Sequence, residues 1–452
     1  MQTARSDMML NMPVTRLLIK MSVPTIISML ITSFYNMADA YFVHYLGTAA
    51  TGAVGVNFAI EQIIMTTGSF LATGANSYIA RLLGAQNTEK ASCILSTAFF
   101  TSMLLGAVIS IFGLIFIDPL VVLLGATESA KPFAVDYGGY ILYAAPFMAA
   151  NFVLNQCLRS EGSAAYSMFG MLAGGILNIF LDPLFIFVFN MGISGAAIAT
   201  SLSKIVSFVI LILPYLRRKS MLQLSIRNVR FFLSDVLEVA SIGSASLFRT
   251  ALGVISGIII NNIAGNNSDA CLAAISVTTK IMMVPFAIFL GFGQGFQPTC
   301  GFNWGAGRYD RVRKLLKTAT IMSLTASTLI GLAVGFLAAP IIREFSVNDP
   351  EMIAIGEICL RSQCLAMPVH AWGVVINMLY AGLGKAKGAL LLGTSRQGTC
   401  FLPMVFLLPG LFGTTGVACV QAAADFLSLL LIFPLGVRIW KILSEKQALS
   451  EQ

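Results

Sequence analysis

Charge is what this sequence has least of. Only 11% of its 452 residues are Asp, Glu, Lys or Arg, against roughly 25% in soluble domains. So few charges do not cover the water-facing surface of a soluble protein this long, whereas lipid as the surrounding solvent removes the need. Histidine is scarce too: His44 and His370 stand apart, with no metal set around either. No C-x-x-C pair occurs among the eight cysteines, so neither a disulfide framework nor a metal site is indicated. Cys93, Cys157, Cys300 and Cys419 lie inside apolar segments and read as small packing residues. No P-loop, G-x-S-x-G, kinase motif or H-E-x-x-H is present, which argues against ATP hydrolysis and soluble catalysis. The chain is not expected to be an enzyme or to need a cofactor.

What is there is hydrophobic: 57% of residues are apolar, and mean hydropathy is +0.84. The first apolar run, Met21 to Leu46, is longer than a signal-peptide core and reads as a spanning helix. Twelve such segments follow one another: Thr15–Leu46, Thr51–Leu83, Ala91–Ile117, Ala130–Cys157, Ala164–Asn190, Gly192–Leu216, Asp235–Ile263, Ala270–Phe302, Val312–Ala339, Pro350–Tyr380, Gly388–Pro409 and Leu411–Trp440. The expected fold is an all-α polytopic membrane protein of twelve transmembrane helices. Its expected units are an N-terminal six-helix lobe (1–216), a linker (217–234), a C-terminal six-helix lobe (235–440) and a tail (441–452).

Net charge is +8. Nucleic-acid binding would place Lys and Arg in aromatic-interleaved patches; here they sit between apolar runs, so no nucleic-acid partner is expected. With both termini in the cytoplasm, only Lys131 and Arg343 fall outside and Lys204, Arg249, Lys280 and Arg361 fall within spans. Every other Lys and Arg lies at a cytoplasmic end or loop, as the positive-inside rule requires. The segment Arg217–Ser234 is basic, with an apolar stripe of Met221, Leu222, Leu224, Ile226, Phe231 and Phe232. It reads as an amphipathic stretch at the cytoplasmic membrane surface.

The two halves resemble each other. Gly74 to Gln86 matches Gly295 to Gly307, and Pro146, Asn155 and Gly162 match Pro368, Asn377 and Gly384. Gly192 and Gly195 match Gly413 and Gly416. Six helices is an even number, so both halves enter the membrane the same way. They are expected as two bundles related by a pseudo-two-fold axis along the membrane normal. A cleft between two such bundles suits alternating access by rocking.

Acids inside a bilayer are costly and usually functional. Asp39, Glu61, Asp182 and Asp425 are the acids within spans. Asp39, Asp182, Thr200 and Tyr137 each lie seven or eight residues from the outer end of their segment, or roughly 10–12 Å at the helical rise. Asn36 and Asn178 precede the two aspartates by three and four residues, which puts each amide on the same face as its carboxylate. The expected result is one layer of hard oxygen ligands and hydrogen-bond donors. Such a layer either shares a proton between carboxylates or coordinates Na⁺. Pro183 removes the N–H that would bond the Ile179 carbonyl. The equivalent region of the second half carries Ile258 and Met404, so the ion site is expected in the N-terminal half alone. Lys204 and Asp425 occupy equivalent repeat positions and are a candidate ion pair.

These residues resemble the multidrug and toxic compound extrusion family over nearly the whole chain, nearest to its bacterial MepA-like group. The resemblance rests on Pro24, Asn36 to Val43 and Gly47; on Leu158 to Gly162; on Leu177 to Ile186; and on Gly84 and Gly305 with their neighbours. It implies export of amphipathic, often cationic compounds in exchange for H⁺ or Na⁺ from a bacterial inner membrane. It also implies an ion site at Asp39, Asn178, Asp182 and Thr200, with Na⁺ as the one metal ion expected. A C-terminal-half acid site finds no match: Glu238 lies near a helix end, and Glu357 stands beside Arg361. Asn155, Met37, Phe34, Phe147, Phe286, Met282 and Glu61 are expected to line a substrate cavity, where thioethers and aromatic faces suit many cargo shapes. Small organic substrates and membrane lipid are the expected partners, and the expected state is a monomer. The alternative function is a flippase of a lipid-linked intermediate in the same broad superfamily.

Overall fold

A computed structural model describes residues 2–346 and 349–450. The described residues contain no strand. The helices are α1 (Gln2–Asn11), α2 (Val14–His44), α3 (Thr48–Gly84), α4 (Thr88–Ile115), α5 (Ile117–Leu123), α6 (Lys131–Ser160), α7 (Ala164–Pro183), α8 (Gly192–Leu216), α9 (Leu233–Asn267), α10 (Asp269–Gly305), α11 (Tyr309–Phe336), α12 (Ala338–Phe345), α13 (Pro350–Gly382), α14 (Ala386–Thr394) and α15 (Phe401–Ser450). Wider π-turns, Leu184–Val188 and Ser395–Thr399, follow α7 and α14. Within α15, Gly413 at φ 56° and ψ −134° breaks the helix, a conformation open to glycine and strained for other residues. Residues 401–412 and 414–450 are therefore two helices.

Among the described residues, ten helical segments are long and apolar enough to cross a membrane. The last of them, Ala386–Leu449, holds two spans separated by Gly413. The remaining span is α3, whose 37 residues are ample in length but include Asn57, Glu61, Gln62 and Asn76. Twelve spans in two bundles result. The last helix runs past its expected end at Trp440 to Ser450, with Leu443 fully buried, so the start of the expected tail is packed helix.

The duplication is legible in the backbone. Gly162 and Gly384 have φ of 77° and 74°, and Gly192 and Gly413 have φ of 58° and 56°. Asn155 donates to the Ser167 carbonyl at 3.3 Å, and its counterpart Asn377 donates to the Ala389 carbonyl at 2.8 Å. Each amide thus braces the same helical hairpin in its own half.

The two halves share one apolar core at the end that carries the linker. Leu71, Ile79 and Leu83 from the first half pack there with Phe296, Phe302 and Leu379 from the second. Toward the far end the cores separate: one is built only from residues 43–197, and the others only from the second half. Glycines make the close seam possible. A Cβ on Gly291 would fall 2.7 Å from the Ile26 Cα, and one on Gly295 2.6 Å from the Ser22 Cα. Gly74 abuts Val239 and Gly243 abuts Phe70. On the same two helices, Gly52, Gly55, Gly253 and Gly257 have nothing within 4 Å. The bundle is closed at the linker end and splayed at the other. Polar contacts reinforce the closed end: Arg81–Glu238 at 2.6 Å, Lys90–Asp235 at 2.9 Å, and Asn303 donating to the Met9 carbonyl of α1 at 3.1 Å.

The linker is mostly extended, with a single 3₁₀ turn at Ile226–Asn228. Its apolar stripe does not form one face. Met221 and Leu222 are buried, whereas Ile226, Phe231 and Phe232 are exposed. It is strapped along α4, where the Gln223, Ser225 and Arg230 N–H groups donate to the Ser92, Ser96 and Thr97 hydroxyls at 3.1–3.2 Å. The Glu161 carboxylate accepts the Met221 N–H at 2.8 Å. Backbone pairing to α4 hydroxyls outweighs the helical pattern expected of an amphipathic segment.

Candidate functional site

Five helices bring oxygen-bearing side chains to one layer of the N-terminal half. Asp39 comes from α2, Glu61 from α3, Tyr137 from α6, Asn178 and Asp182 from α7, and Thr200 from α8. Tyr137, Asn178, Asp182 and Thr200 are buried. The four-residue spacing on α7 places Asn178 over Asp182, and its Nδ2 donates to the Asp182 carboxylate at 3.1 Å and the Thr200 hydroxyl at 3.3 Å. The Tyr137 hydroxyl donates to Glu61 at 3.5 Å and also meets Asp39 and Thr200. Asp182 lies within charge–charge range of Asp39. The side chain of Asn36 lies outside the described residues.

Three acceptor oxygens in this layer are buried and accept no hydrogen bond among the described residues: Asp39 Oδ1, Asn178 Oδ1 and Asp182 Oδ2. An orphaned buried acceptor costs about 1–3 kcal/mol, more when charged. A small cavity of about 20 Å³ is lined by Asn178, Thr200, Tyr35 and Lys204, room for one water-sized occupant. Pro183 and the π-turn after it loosen the α7 ladder at this depth. Among the described residues no three His, Cys, Asp or Glu side chains are grouped to hold a metal.

Lys204 belongs to this layer and not to Asp425. Its ammonium bonds the Tyr35 hydroxyl, sits 4.3 Å over the Tyr35 ring and acts electrostatically on Asp39 and Glu61. Asp425 instead accepts from Arg396 Nε at 2.7 Å. The positive-inside pattern predicts Arg396 at a cytoplasmic helix end; it lies instead in the π-turn Ser395–Thr399, paired with Asp425. The available signal is a guanidinium eight residues into the eleventh apolar segment. His370 is also not alone, lying 3.4 Å from Arg396.

The expected substrate-cavity residues divide. Phe286 lines two cavities of the C-terminal half. Phe34 and Met37 are exposed on α2, and Glu61 joins the layer of acids. Phe147 packs edge-on against Phe208. Met282 is 1% exposed inside an apolar cluster with Phe289 and Leu360. Asn155 is buried on Ser167 and Arg159. The last two face packing, not a cavity, because hairpin bracing and core filling claim them.

The family model described as MatE matches the chain twice, over residues 24–184 and 245–397. The chain belongs to the MatE family. It is 25% identical over 397 residues to the multidrug export protein MepA of Staphylococcus saprophyticus, covering 88% of this chain and 87% of that one. Against MepA of Staphylococcus aureus (strain NCTC 8325) the figure is 25% over 406 residues, covering 90% and 89%. A solved structure described as the outward-facing conformation of a multidrug resistance MATE family transporter superposes with a TM-score of 0.91 at 23% identity, covering 97% of this chain and 98% of that one. The doubled match coincides with the duplication seen in the backbone. As a MatE protein, the chain is a multi-pass membrane transporter.

Proposed function

We propose that this chain is a secondary antiporter that exports small amphipathic, often cationic organic compounds in exchange for H⁺ or Na⁺. The observation that carries the reading is the set of orphaned oxygens on Asp39, Asn178 and Asp182. A proton on either carboxyl supplies the missing donor, and Na⁺ supplies the missing positive charge to the same oxygens. Asn178 and Thr200 hold Asp182 in place, and Tyr137 ties Asp39 to Glu61. Loading this site with one monovalent ion reduces the negative charge of a layer where three acids face one lysine. Cargo and ion then compete through charge, which couples them.

The cycle runs by rocking of the two bundles, with both termini and the linker in the cytoplasm and the monomer as the working unit. The state described here is then sealed toward the cytoplasm and open outward. The distribution of Lys and Arg supports that orientation. The test is transport of a fluorescent organic cation in proteoliposomes, with pH and sodium gradients imposed separately. At least one gradient is expected to drive flux, and Asp39→Asn or Asp182→Asn to abolish it in folded protein. Full gradient-driven transport by both variants would overturn the reading.

A further inference from the structure

The acids of the N-terminal half have a counterweight of opposite sign. The C-terminal half holds a cavity of about 280 Å³, sharing Gly253, Phe286, Arg396 and Gln397 with a second of about 240 Å³. Two guanidiniums, Arg249 and Arg396, and one carboxylate, Asp425, reach the first of these. Arg396 is already engaged: it pairs with Asp425 at 2.7 Å, meets His370 at 3.4 Å and lies 4.1 Å over the Phe286 ring. Arg249, half-buried on α9, makes no ion pair and no hydrogen bond among the described residues. Its donors are therefore unengaged where it lines the cavity. Phe286, Leu290, Val374 and Ile432 give the same cavity an apolar wall.

We propose that this cavity is an anion-recognition subsite in which Arg249 grips the carboxylate of an apolar or aromatic organic acid or zwitterion. The planar fork of Arg matches a carboxylate in two parallel hydrogen bonds. The apolar wall of Leu290, Val374 and Ile432 receives the body of the ligand. Arg396 is excluded as the primary anchor because Asp425 occupies it. The proposal rests on the transporter reading and deepens it: the cargo range includes carboxylates as well as cations.

The test is equilibrium dialysis of full-length protein in nanodiscs of zwitterionic lipid, with empty discs subtracted. The probes are 2-naphthoate and its methyl ester, which differ in the charge Arg249 would read. The acid is expected to bind at least tenfold more tightly than the ester. In Arg249→Gln that preference is expected to fall to about one, while ester binding persists and reports an intact cavity. Arg249→Lys, which keeps the charge, is expected to retain a preference for the acid. Equal binding of acid and ester by the unaltered protein, an unchanged preference in Arg249→Gln, or loss of preference in Arg249→Lys would each overturn the proposal. No ion gradient enters this measurement, so its failure is separable from failure of the antiport reading.

Discussion

Gly84 and Gly305 pack reciprocally across the seam between the two halves. Gly84 lies against the Phe302 carbonyl, and Gly305 lies against the Arg81 carbonyl, so that neither position has room for a Cβ. The two glycines are equivalents in the duplicated sequence, and each closes on the helix end that carries the other. Their contact fixes how tightly α3 and α10 meet at the linker end.

Gly84→Ala and Gly305→Ala are each expected to wedge this seam apart. Backbone lies opposite the new methyl, so the strain, about 1–3 kcal/mol for overpacking, is relieved by separating the helices. Spin labels at Thr88→Cys and Arg308→Cys, both beyond the seam, are expected to report longer distances in either alanine variant. An unchanged distance distribution would show that the seam yields elsewhere.

Asn178→Leu is expected to weaken Na⁺ coupling by about tenfold. It removes the orphaned Oδ1 from the oxygens offered to the ion, and one such contact to a charged group contributes roughly 1.5–3 kcal/mol. The readout is the ion concentration giving half-maximal cargo flux. A lowered maximal flux with unchanged ion dependence would assign Asn178 to helix packing instead.

The Arg396–Asp425 pair is expected to behave as a buried ion pair. Removing one partner strands the other charge, at a cost of about 3–5 kcal/mol. Arg396→Met alone should therefore lower the thermal unfolding midpoint of purified protein clearly. Arg396→Met combined with Asp425→Leu should recover most of the loss. Equal destabilisation by the single and double variants would mean that the pair is not coupled.

The strap along α4 depends on three hydroxyls. Ser92→Ala with Ser96→Ala removes the acceptors for the Gln223 and Ser225 N–H groups. Trypsin is then expected to cut at Arg227 or Arg230 several-fold faster in membranes whose linker side is exposed. Cleavage at the unaltered rate would place the holding contacts at Glu161 and Met221 instead.

Most of the fold was legible in the sequence because a bilayer tolerates few alternatives to apolar helices. Glycine and asparagine at a constant offset also announced the duplication. The acid layer was legible through depth counting, since Asp39, Asp182, Tyr137 and Thr200 sit at similar distances from helix ends. The π-turn that turns Arg396 inward was not, because a one-residue change of winding leaves no mark on hydropathy. Nor was the partner of Lys204: equivalent positions in two halves need not touch, and Tyr35 stands nearer. The linker misled for a different reason. Its apolar spacing looked helical, but the hydroxyls that claim its backbone lie more than a hundred residues away in sequence.

The single core at the linker end and the separate cores beyond it have a mechanical consequence. On the rocking reading proposed above, each half keeps its shape while the joint between them opens, and the work of switching sides is concentrated in one seam of small residues. That surface must be wetted before the opposite mouth can zip shut. Turnover should therefore respond to residues such as Gly74, Gly243 and Gly291, which line neither the cavity beside Asn178 nor the one at Arg249.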